Sequence, residues 1–297
     1  ATLIRKLHED RKRLFTKTAP PPMAIGLEQV QRQFQPVLDD FIAGKISEEE
    51  MLKGVDWEKR WFWSYANYKP VFDAARELKI PLIALNVNSE DLAVVEKGGF
   101  PALTRSQIRT YIQDPNGFAE FAKPESYKTY VSYVIRPSYD LHQQMGLLRT
   151  TISGQTLDED MPFRNFFSGR ILWDESMASG AFSWTEANPG GLMVGLVGAD
   201  HVKFDSGVPG RYARMAAGTR ENVSVILNPT LIDTRPSGTV SNILNSASSQ
   251  FPDTITLQLR YVKEGVDFRS PEMRKPENTG GVLPLADYII VTEDGTT

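Results

Sequence analysis

The 297 residues include 41% hydrophobic and 24% charged residues, which are the proportions of an ordinary globular chain. The formal net charge of −4 argues against a broad nucleic-acid-binding surface, which is usually basic, and no apolar run approaches the roughly 18–20 residues of a membrane span. The absence of cysteine excludes disulfides, thiolate metal sites and a cysteine nucleophile.

The first hundred residues alternate between helical and strand-like patterns. Residues 1–15 predict a helix with no N-capping residue before it, which suggests that the protein continues upstream. Residues 23–30 predict a buried strand, and helical spacing follows over 31–54, with a Ser47–Glu50 capping box inside it.

The same alternation continues to residue 99. An aromatic stripe from Trp57 to Phe72 predicts one helix over 55–80, with a kink at Pro70. Residues 81–87 predict a second buried strand and 89–99 another helix. The sequence therefore predicts an α/β fold, a mainly parallel β-sheet flanked by helices.

The remainder of the chain predicts a different organisation. Residues 100–188 are typical of a large helical insertion that covers the strand C-terminal ends as a lid. The sheet resumes at 191–202 and 222–230, an exposed polar loop follows at 233–250, and residues 254–262 alternate as in a half-exposed strand. Residues 263–297 predict an extended C-terminal arm with a final strand at 285–293. We expect a single domain over 1–297.

Polar residues lie at or just after the ends of three of the apolar runs. Glu28 follows "MAIGL", Asn86 lies within "IALNV", and Asp200–His201 follow "LMVGLVG". Ligands in open parallel sheets bind beyond the carboxyl ends of the strands. We therefore expect Glu28 and His201 to meet in one hollow, as ligands of a divalent metal or as a catalytic acid–base pair. A structural hydrogen bond is the alternative for each.

Four segments form a series along the chain: "GLEQVQRQFQPVLDDFIAGKIS", "VFDAARELKIPLIALNV", "ILWDESMA" and "VGADHVKFDSGVPGR". The specific signal is the pairing of Trp173, Asp174, Met177 and Ala178 with the later run from Gly198 through His201 to Arg211. Together these segments resemble the ChaN-like family of haem-binding proteins of uncertain function, over most of residues 1–230.

The resemblance extends to a wider superfamily that includes erythromycin esterases and the TIKI/TraB group. Its members typically carry a Gly-Glu-x-His segment at the end of the first strand, a second Glu at the next strand and a late G-x-x-H. Glu28 matches the second Glu, and Gly198–His201 match the late motif. The first segment would lie upstream of Ala1, and without it a hydrolase lacks half of its metal or acid–base set.

The resemblance also implies haem, held in a bacterial member by a tyrosinate at a dimer interface. Tyr139 and His142 are three residues apart, so both can address one ligand from a single helix face. Packing is the alternative for this pair, and other tyrosines of the insertion are further candidates for the axial ligand: Tyr127, Tyr130 and Tyr133.

Four more residues are candidates for contacts with haem. Trp173 and Met177 lie four apart and would pack on the macrocycle. Arg170 and Arg211 would meet the propionates. The alternatives are core packing for Trp173 and Met177, a pairing of Arg170 with Asp174, and an anchoring of the Gly-Val-Pro turn by Arg211.

Three functions follow from these patterns. The first is a haem- or tetrapyrrole-binding or accessory protein, in the plastid and peripheral to a thylakoid membrane complex, or membrane-associated or periplasmic in a bacterium. The second is a metal-dependent or acid–base hydrolase that uses Glu28 and His201. The third is a structural or assembly subunit with a degenerate site. As partners we expect a second copy of the chain or a larger membrane protein complex, and no nucleic acid.

Overall fold

The computed structural model describes residues 1–16, 18–227, 257–266 and 275–290. The chain divides into two compact units. The first comprises residues 1–91 and 176–198, and the second comprises 92–175 and the described residues from 199 onward. Whether the whole chain acts as a single domain, with residues 100–188 as a lid, stays a prediction.

The first unit contains a three-stranded parallel sheet with helices around it, as the α/β pattern predicts. In chain order its elements are α1 (Thr2–Leu14), β1 (Met23–Gln31), α2 (Gln35–Ile42), α3 (Glu48–Gly54), α4 (Trp57–Arg60), α5 (Lys69–Leu78), β2 (Leu82–Asn86), the start of α6 (Ser89–Gly98), the second half of α11 (Phe163–Ala187), and β3 (Leu192–Leu196).

The sheet has the strand order β2–β1–β3, so β1 is central. All nine residues of β1 are buried, as expected of a strand covered on both faces. Gly26 is required in the middle of β1, because a Cβ atom there would lie 2.5 Å from Leu85 Cδ1 and 3.0 Å from Met193 Sδ. The predicted strands at 23–30 and 81–87 are confirmed.

The aromatic stripe does not lie on one helix, so the prediction of a helix over 55–80 is wrong. A short helix ends at Arg60, and the next begins at Lys69 with Pro70 in its first turn, where a missing N–H costs nothing. The rings nevertheless converge, since Trp57 lies 5.2 Å from Tyr65 and 5.8 Å from Phe72 between ring centres. The Ser47–Glu50 capping box is confirmed.

The second unit is mainly helical up to residue 175 and contains two small sheets after it. Its elements are the rest of α6, α7 (Arg105–Tyr111), α8 (Pro115–Phe121), α9 (Glu125–Tyr130), a π-helical turn (Val131–Ile135), α10 (Arg136–Gln144), the first half of α11, α12 (Val208–Ala216), β4 (Val225–Leu227), β5 (Gln258–Val262), β6 (Thr279–Pro284) and β7 (Tyr288–Ile290).

Two predictions about the later strands need correction. β4 does not return to the main sheet but pairs in parallel with β7. The strand predicted over 191–202 ends at Leu196, and a 3₁₀ turn follows at Ala199–His201. β5 is half-exposed, as its alternation predicts, and pairs antiparallel with β6. The loop predicted at 233–250 lies outside the described residues.

Among the described residues, no helix has the length and apolar character needed to cross a bilayer.

Candidate functional site

Glu28 ties the carboxyl ends of the main sheet together. Its side chain is buried and accepts a hydrogen bond from the Gly198 amide, just beyond β3. Its own carbonyl accepts a bond from the Asn86 side-chain amide at 2.8 Å, at the end of β2. The register of the β1–β2 pair shifts between Leu27 and Gln31, which places Glu28 in a local irregularity. These bonds give Glu28 a structural role within the first unit.

His201 is held by a buried carboxylate. Its Nδ1 atom pairs with Asp174 Oδ1, and the Asp174 side chain is fully buried on α11. The indole of Trp173 stacks nearly parallel to the imidazole, with ring centres 5.9 Å apart. A carboxylate on Nδ1 fixes the ring orientation and makes Nε2 the atom that would ligate a metal or exchange a proton.

A tight loop follows His201 and explains the Gly-Val-Pro motif. Phe204 and Asp205 have φ values of 59° and 51°, which non-glycine residues adopt only at a cost. A Cβ atom on Gly207 would lie 2.1 Å from the His201 carbonyl oxygen, so only glycine fits there. Pro209 then starts α12 in its first turn. The motif therefore builds the loop that carries His201.

Arg211 is fully buried and is occupied by protein partners. Its guanidinium donates to Glu175 Oε2 and to the Tyr127 hydroxyl, each at 3.0 Å. Glu175, also fully buried, accepts a second bond from Arg214. The guanidinium further lies 4.8 Å from the ring centre of Phe121. Arg211 thus anchors α12 to α9 and α11.

Arg170 and Met177, the other two candidate haem contacts on α11, lie in different environments. Arg170 Nε lies 3.9 Å from Asp174 Oδ2, so the pairing expected four residues apart is present. Met177 is fully buried in the first unit. Its sulfur is therefore enclosed by protein.

The tyrosine candidates are engaged by other groups of the protein. Burial raises the pKa of Tyr127 and of Tyr130 above the ordinary value, which disfavours a tyrosinate at either position. The Tyr130 hydroxyl donates to the Asp200 carbonyl at 3.3 Å. The Tyr139 hydroxyl donates to the Met161 carbonyl at 3.0 Å, and its ring is buried. Tyr133 packs against Phe204 at 6.0 Å between ring centres.

His142 has a different environment, on the same face of α10 as Tyr139. Its Nδ1 atom donates to the Ser138 carbonyl at 2.7 Å, one turn earlier in the helix. Its ring is half-buried and lies 5.2 Å from the ring of Phe166, which Tyr139 also contacts at 5.4 Å. Because a carbonyl only accepts, Nδ1 carries a proton, which leaves Nε2 as the ring nitrogen that could ligate a metal.

Large apolar side chains are exposed at three positions within the ten residues that follow His142 in the chain. Met145, Leu147 and Ile152 expose 44%, 48% and 44% of their surfaces, and we name them with His142 the His142 face. Arg136 lies at the other end of the helix, with its guanidinium 3.9 Å from the ring centre of Phe163. Within the described residues Arg136 has no carboxylate partner. The His142 face and Arg136 together supply a nitrogen ligand, apolar surface and a cation.

Glu96 holds the loop that carries Ile152. Its carboxylate accepts a hydrogen bond from the Ile152 amide at 2.8 Å, and the neighbouring Lys97 binds Gln155 in the same loop. Burial raises the pKa of Glu96 to about 7, and the bond from Ile152 opposes this shift only partly. The loop beside His142 is thus attached to a carboxyl group that titrates near neutrality.

The described ranges contain no group of three or more His, Cys, Asp or Glu residues that could hold a metal ion. Glu28 belongs to the first unit and His201 to the second, so their convergence on one hollow stays a prediction.

The sequence did not predict the carboxylate partners of His201 and Arg211. Asp174 orients His201, and Glu175 pairs with Arg211. The sequence suggested Asp174 only as an ion-pair partner of Arg170, and it suggested no role for Glu175. A signal was present, because "ILWDESMASGAF" places two adjacent acids among small and apolar residues, without a polar helix face to receive them. Such acids are buried only when they are paired.

Comparisons with known proteins agree with the resemblance found in the sequence. A family model described as "Haem-binding uptake, Tiki superfamily, ChaN" matches residues 1–211. The chain is also similar to the ChaN protein of Campylobacter jejuni, whose structure is titled for cofacial haem binding, with 14% identity, 78% of this chain and 76% of that chain covered, and a TM-score of 0.49.

A Bacillus cereus protein is less similar, with 11% identity, 96% of this chain and 83% of that chain covered, and a TM-score of 0.35. No curated protein matches. Because the family model spans more than two thirds of the 297 residues, the chain belongs to the haem-binding uptake, Tiki superfamily, ChaN family.

Proposed function

We propose that this protein binds haem or a related tetrapyrrole on the His142 face, with His142 as the axial ligand. Membership of a haem-binding family supports the ligand class. The observation that carries the choice of residue is the Nδ1 bond of His142 to the Ser138 carbonyl. Histidines that ligate iron commonly donate their second ring nitrogen to such an acceptor, which orients the ring and raises its basicity.

The surroundings of His142 fit a flat, largely apolar macrocycle. Met145, Leu147 and Ile152 offer apolar contact surface that water covers in the absence of a ligand. The methionine is unbranched and polarizable, so it adapts to an aromatic ring system. Arg136 supplies a guanidinium that can bind a propionate through two parallel hydrogen bonds.

Tyr139 serves as a positioning residue in this proposal. Its hydroxyl is committed to Met161, and its ring packs against Phe163 and Phe166, which support His142 and Arg136. Bound iron would supply the redox and ligand chemistry. The side chains of the His142 face would bind and orient the macrocycle, and we propose a homodimer in which a second copy of the chain also contacts it.

The test is a haemin titration of the purified full chain, followed through the Soret band. Wild type is expected to give a saturable shift, and His142→Ala to weaken binding by about tenfold or more, which corresponds to ~1.4 kcal/mol. His8→Ala is the matched control, because His8 lies in the other unit on α1 and should leave the titration unchanged. An unchanged His142→Ala titration contradicts the assignment of the ligand, and no saturable shift in wild type contradicts haem binding.

The location is a separate proposal. We place the protein in the plastid, peripheral to a thylakoid membrane complex, or membrane-associated or periplasmic if it is bacterial. Fractionation of the native tissue, with salt washes of the membranes, tests this placement. Recovery with an unrelated compartment would contradict it. The hydrolase built on Glu28 and His201 and the assembly subunit with a degenerate site stay alternative predictions.

A further inference from the structure

The first unit carries an open cleft with aromatic walls, far along the chain from His142. The cleft has a volume of about 750 Å³, and we name it the aromatic cleft. Five aromatic side chains line it: Trp57, Trp61, Phe62, Trp63 and Tyr65. Phe62 is 91% exposed and Trp63 is 57% exposed, which is unusual for side chains of this size and marks a surface for interaction.

The walls of the aromatic cleft are held in place by the protein. The indole N–H of the buried Trp57 donates to the Trp63 carbonyl at 3.1 Å and fixes the backbone of the connecting loop. The Tyr65 hydroxyl donates to Glu48 at 3.2 Å, and burial raises the pKa of Tyr65, which keeps it a neutral donor. A surface that is ordered before binding loses little conformational entropy when a ligand arrives.

The aromatic walls of the cleft include two edge-to-face ring pairs. The rings of Phe62 and Trp63 stand 5.3 Å apart at 88°, and those of Trp57 and Tyr65 stand 5.2 Å apart at 82°. Rings in edge-to-face contact leave no gap between them, but Phe62 and Trp63 are exposed, so a compact apolar ring can pack against their open surfaces. Proline-rich segments dock in this way into aromatic-lined grooves, because their polyproline II conformation is already extended and ordered.

The charge of the aromatic cleft favours a basic ligand. Glu49 and Glu58 belong to its lining and are exposed, and in the described part of the chain neither forms an ion pair. Asp56 is also in the lining, but its charge is compensated by two cations. Its Oδ2 atom lies 3.8 Å from Lys59 Nζ and 3.7 Å from Arg60 Nε. The remaining lining charge is Lys53. The lining thus contains two carboxylates without an ion pair and one ammonium group, so negative charge is in excess.

We propose that the aromatic cleft binds a proline-rich segment of a partner protein that carries basic residues beside its prolines. The proline rings pack against the exposed side chains of Phe62 and Trp63, and an arginine or lysine of the partner pairs with Glu49 or Glu58. The cleft is open along the surface and larger than one ammonium group requires, which favours an extended peptide over a small organic cation. This interaction is independent of haem binding by the second unit.

The experiment uses the full chain and a synthetic peptide of about five prolines with an arginine at each end, which suits a segment with three residues per turn. Binding is followed by titration calorimetry. We expect saturable binding that weakens about tenfold or more in Trp63→Ala, since exposed tryptophans often dominate such contacts. The double variant Glu49→Gln/Glu58→Gln is expected to bind more weakly and with less dependence on salt.

Two controls separate the proposal from its alternatives. Tyr288→Ala removes another exposed aromatic side chain, in the second unit, and should leave peptide binding unchanged. A peptide with glycine in place of proline should not bind. The proposal would be overturned if the glycine peptide bound equally well. It would also be overturned if tetramethylammonium or anionic lipid vesicles bound and the proline peptide did not, or if no probe bound. Circular dichroism confirms that the variants fold.

Discussion

The surroundings of His201 and of His142 differ although both histidines lie in the same unit. His201 is buried, fixed by the fully buried Asp174 and covered by Trp173. His142 is half-buried, fixed by a carbonyl of its own helix and bordered by exposed apolar side chains. The first arrangement is a buried hydrogen-bonded pair, in which a group left without its partner is costly. The second is a surface on which a ligand can settle without displacing protein.

The largest expected effect comes from the buried network near His201. Glu175→Ala leaves Arg211 and Arg214 without their shared carboxylate, and Arg211 is fully buried. Removing one partner of a buried ion pair costs about 3–5 kcal/mol, so we expect a loss of that size in the free energy of unfolding, measured by urea denaturation.

The matched control is Glu120→Ala. Glu120 is an exposed acid that pairs with Lys123 on the surface, and such pairs contribute ~0–1 kcal/mol. Equal losses in the two variants would mean that the buried cluster adds nothing beyond a surface pair.

Asp174→Ala is expected to have the next largest effect. It removes the acceptor of the His201 Nδ1 bond inside the protein and leaves a buried polar group without that partner. The expected loss is about 1–3 kcal/mol in the free energy of unfolding. The same substitution should release the imidazole orientation, which the ¹H–¹⁵N spectrum of the ring reports. A stable variant with an unchanged ring spectrum would show that Asp174 does not hold His201.

Tyr139→Phe tests whether Tyr139 supports His142 or ligates iron. The variant loses the hydrogen bond to the Met161 carbonyl but keeps the ring contacts, so we expect a loss of roughly 0.5–1.5 kcal/mol in stability. Haemin affinity should stay as in wild type. Loss of the haem spectrum in this variant would identify the phenolate as the ligand, as the family resemblance suggested.

Glu96→Gln is expected to change the pH dependence of stability near the His142 face. The pKa of Glu96 is raised in the folded protein from 4.5 to about 7, so the folded state binds this proton more tightly than the unfolded state. The stabilisation is therefore present below about pH 4.5 and is lost as the pH rises through about 7. Because the side chain is partly exposed, we expect a difference of up to ~1 kcal/mol.

The measurement is the free energy of unfolding of wild type and Glu96→Gln on both sides of that range. Relative to the variant, wild type should lose stability with rising pH. Parallel curves would contradict a raised pKa, since glutamine does not titrate and keeps an acceptor for the Ile152 amide.

Local patterns predicted much of the fold. The apolar runs of β1 and β2 and the Ser47–Glu50 capping box were evident because they depend on residues close in sequence. The break between Arg60 and Lys69 was missed because the converging aromatic rings mimic a helical stripe. The pairing of β4 with β7 joins segments about sixty residues apart, which periodicity does not encode.

The candidate site was predicted in part. Residue type and spacing predicted His142 and Tyr139 as possible ligands on one helix face. Their hydrogen bonds distinguish them, because the Tyr139 hydroxyl donates to the Met161 carbonyl, whereas His142 bonds to the Ser138 carbonyl through Nδ1 alone. The same holds for Arg211, whose position after the Gly-Val-Pro turn was apparent, whereas its carboxylate partner 36 residues earlier was not. Such long-range partners depend on packing.

The comparison of the two histidines is tested most directly by haemin titrations of His142→Ala and His201→Ala side by side. We predict that His142→Ala loses affinity by about tenfold or more, with a change in the Soret band, while His201→Ala binds as wild type does once its fold is verified. Retained binding in His142→Ala together with lost binding in a folded His201→Ala would contradict the account and transfer the ligand to the Asp174-held histidine.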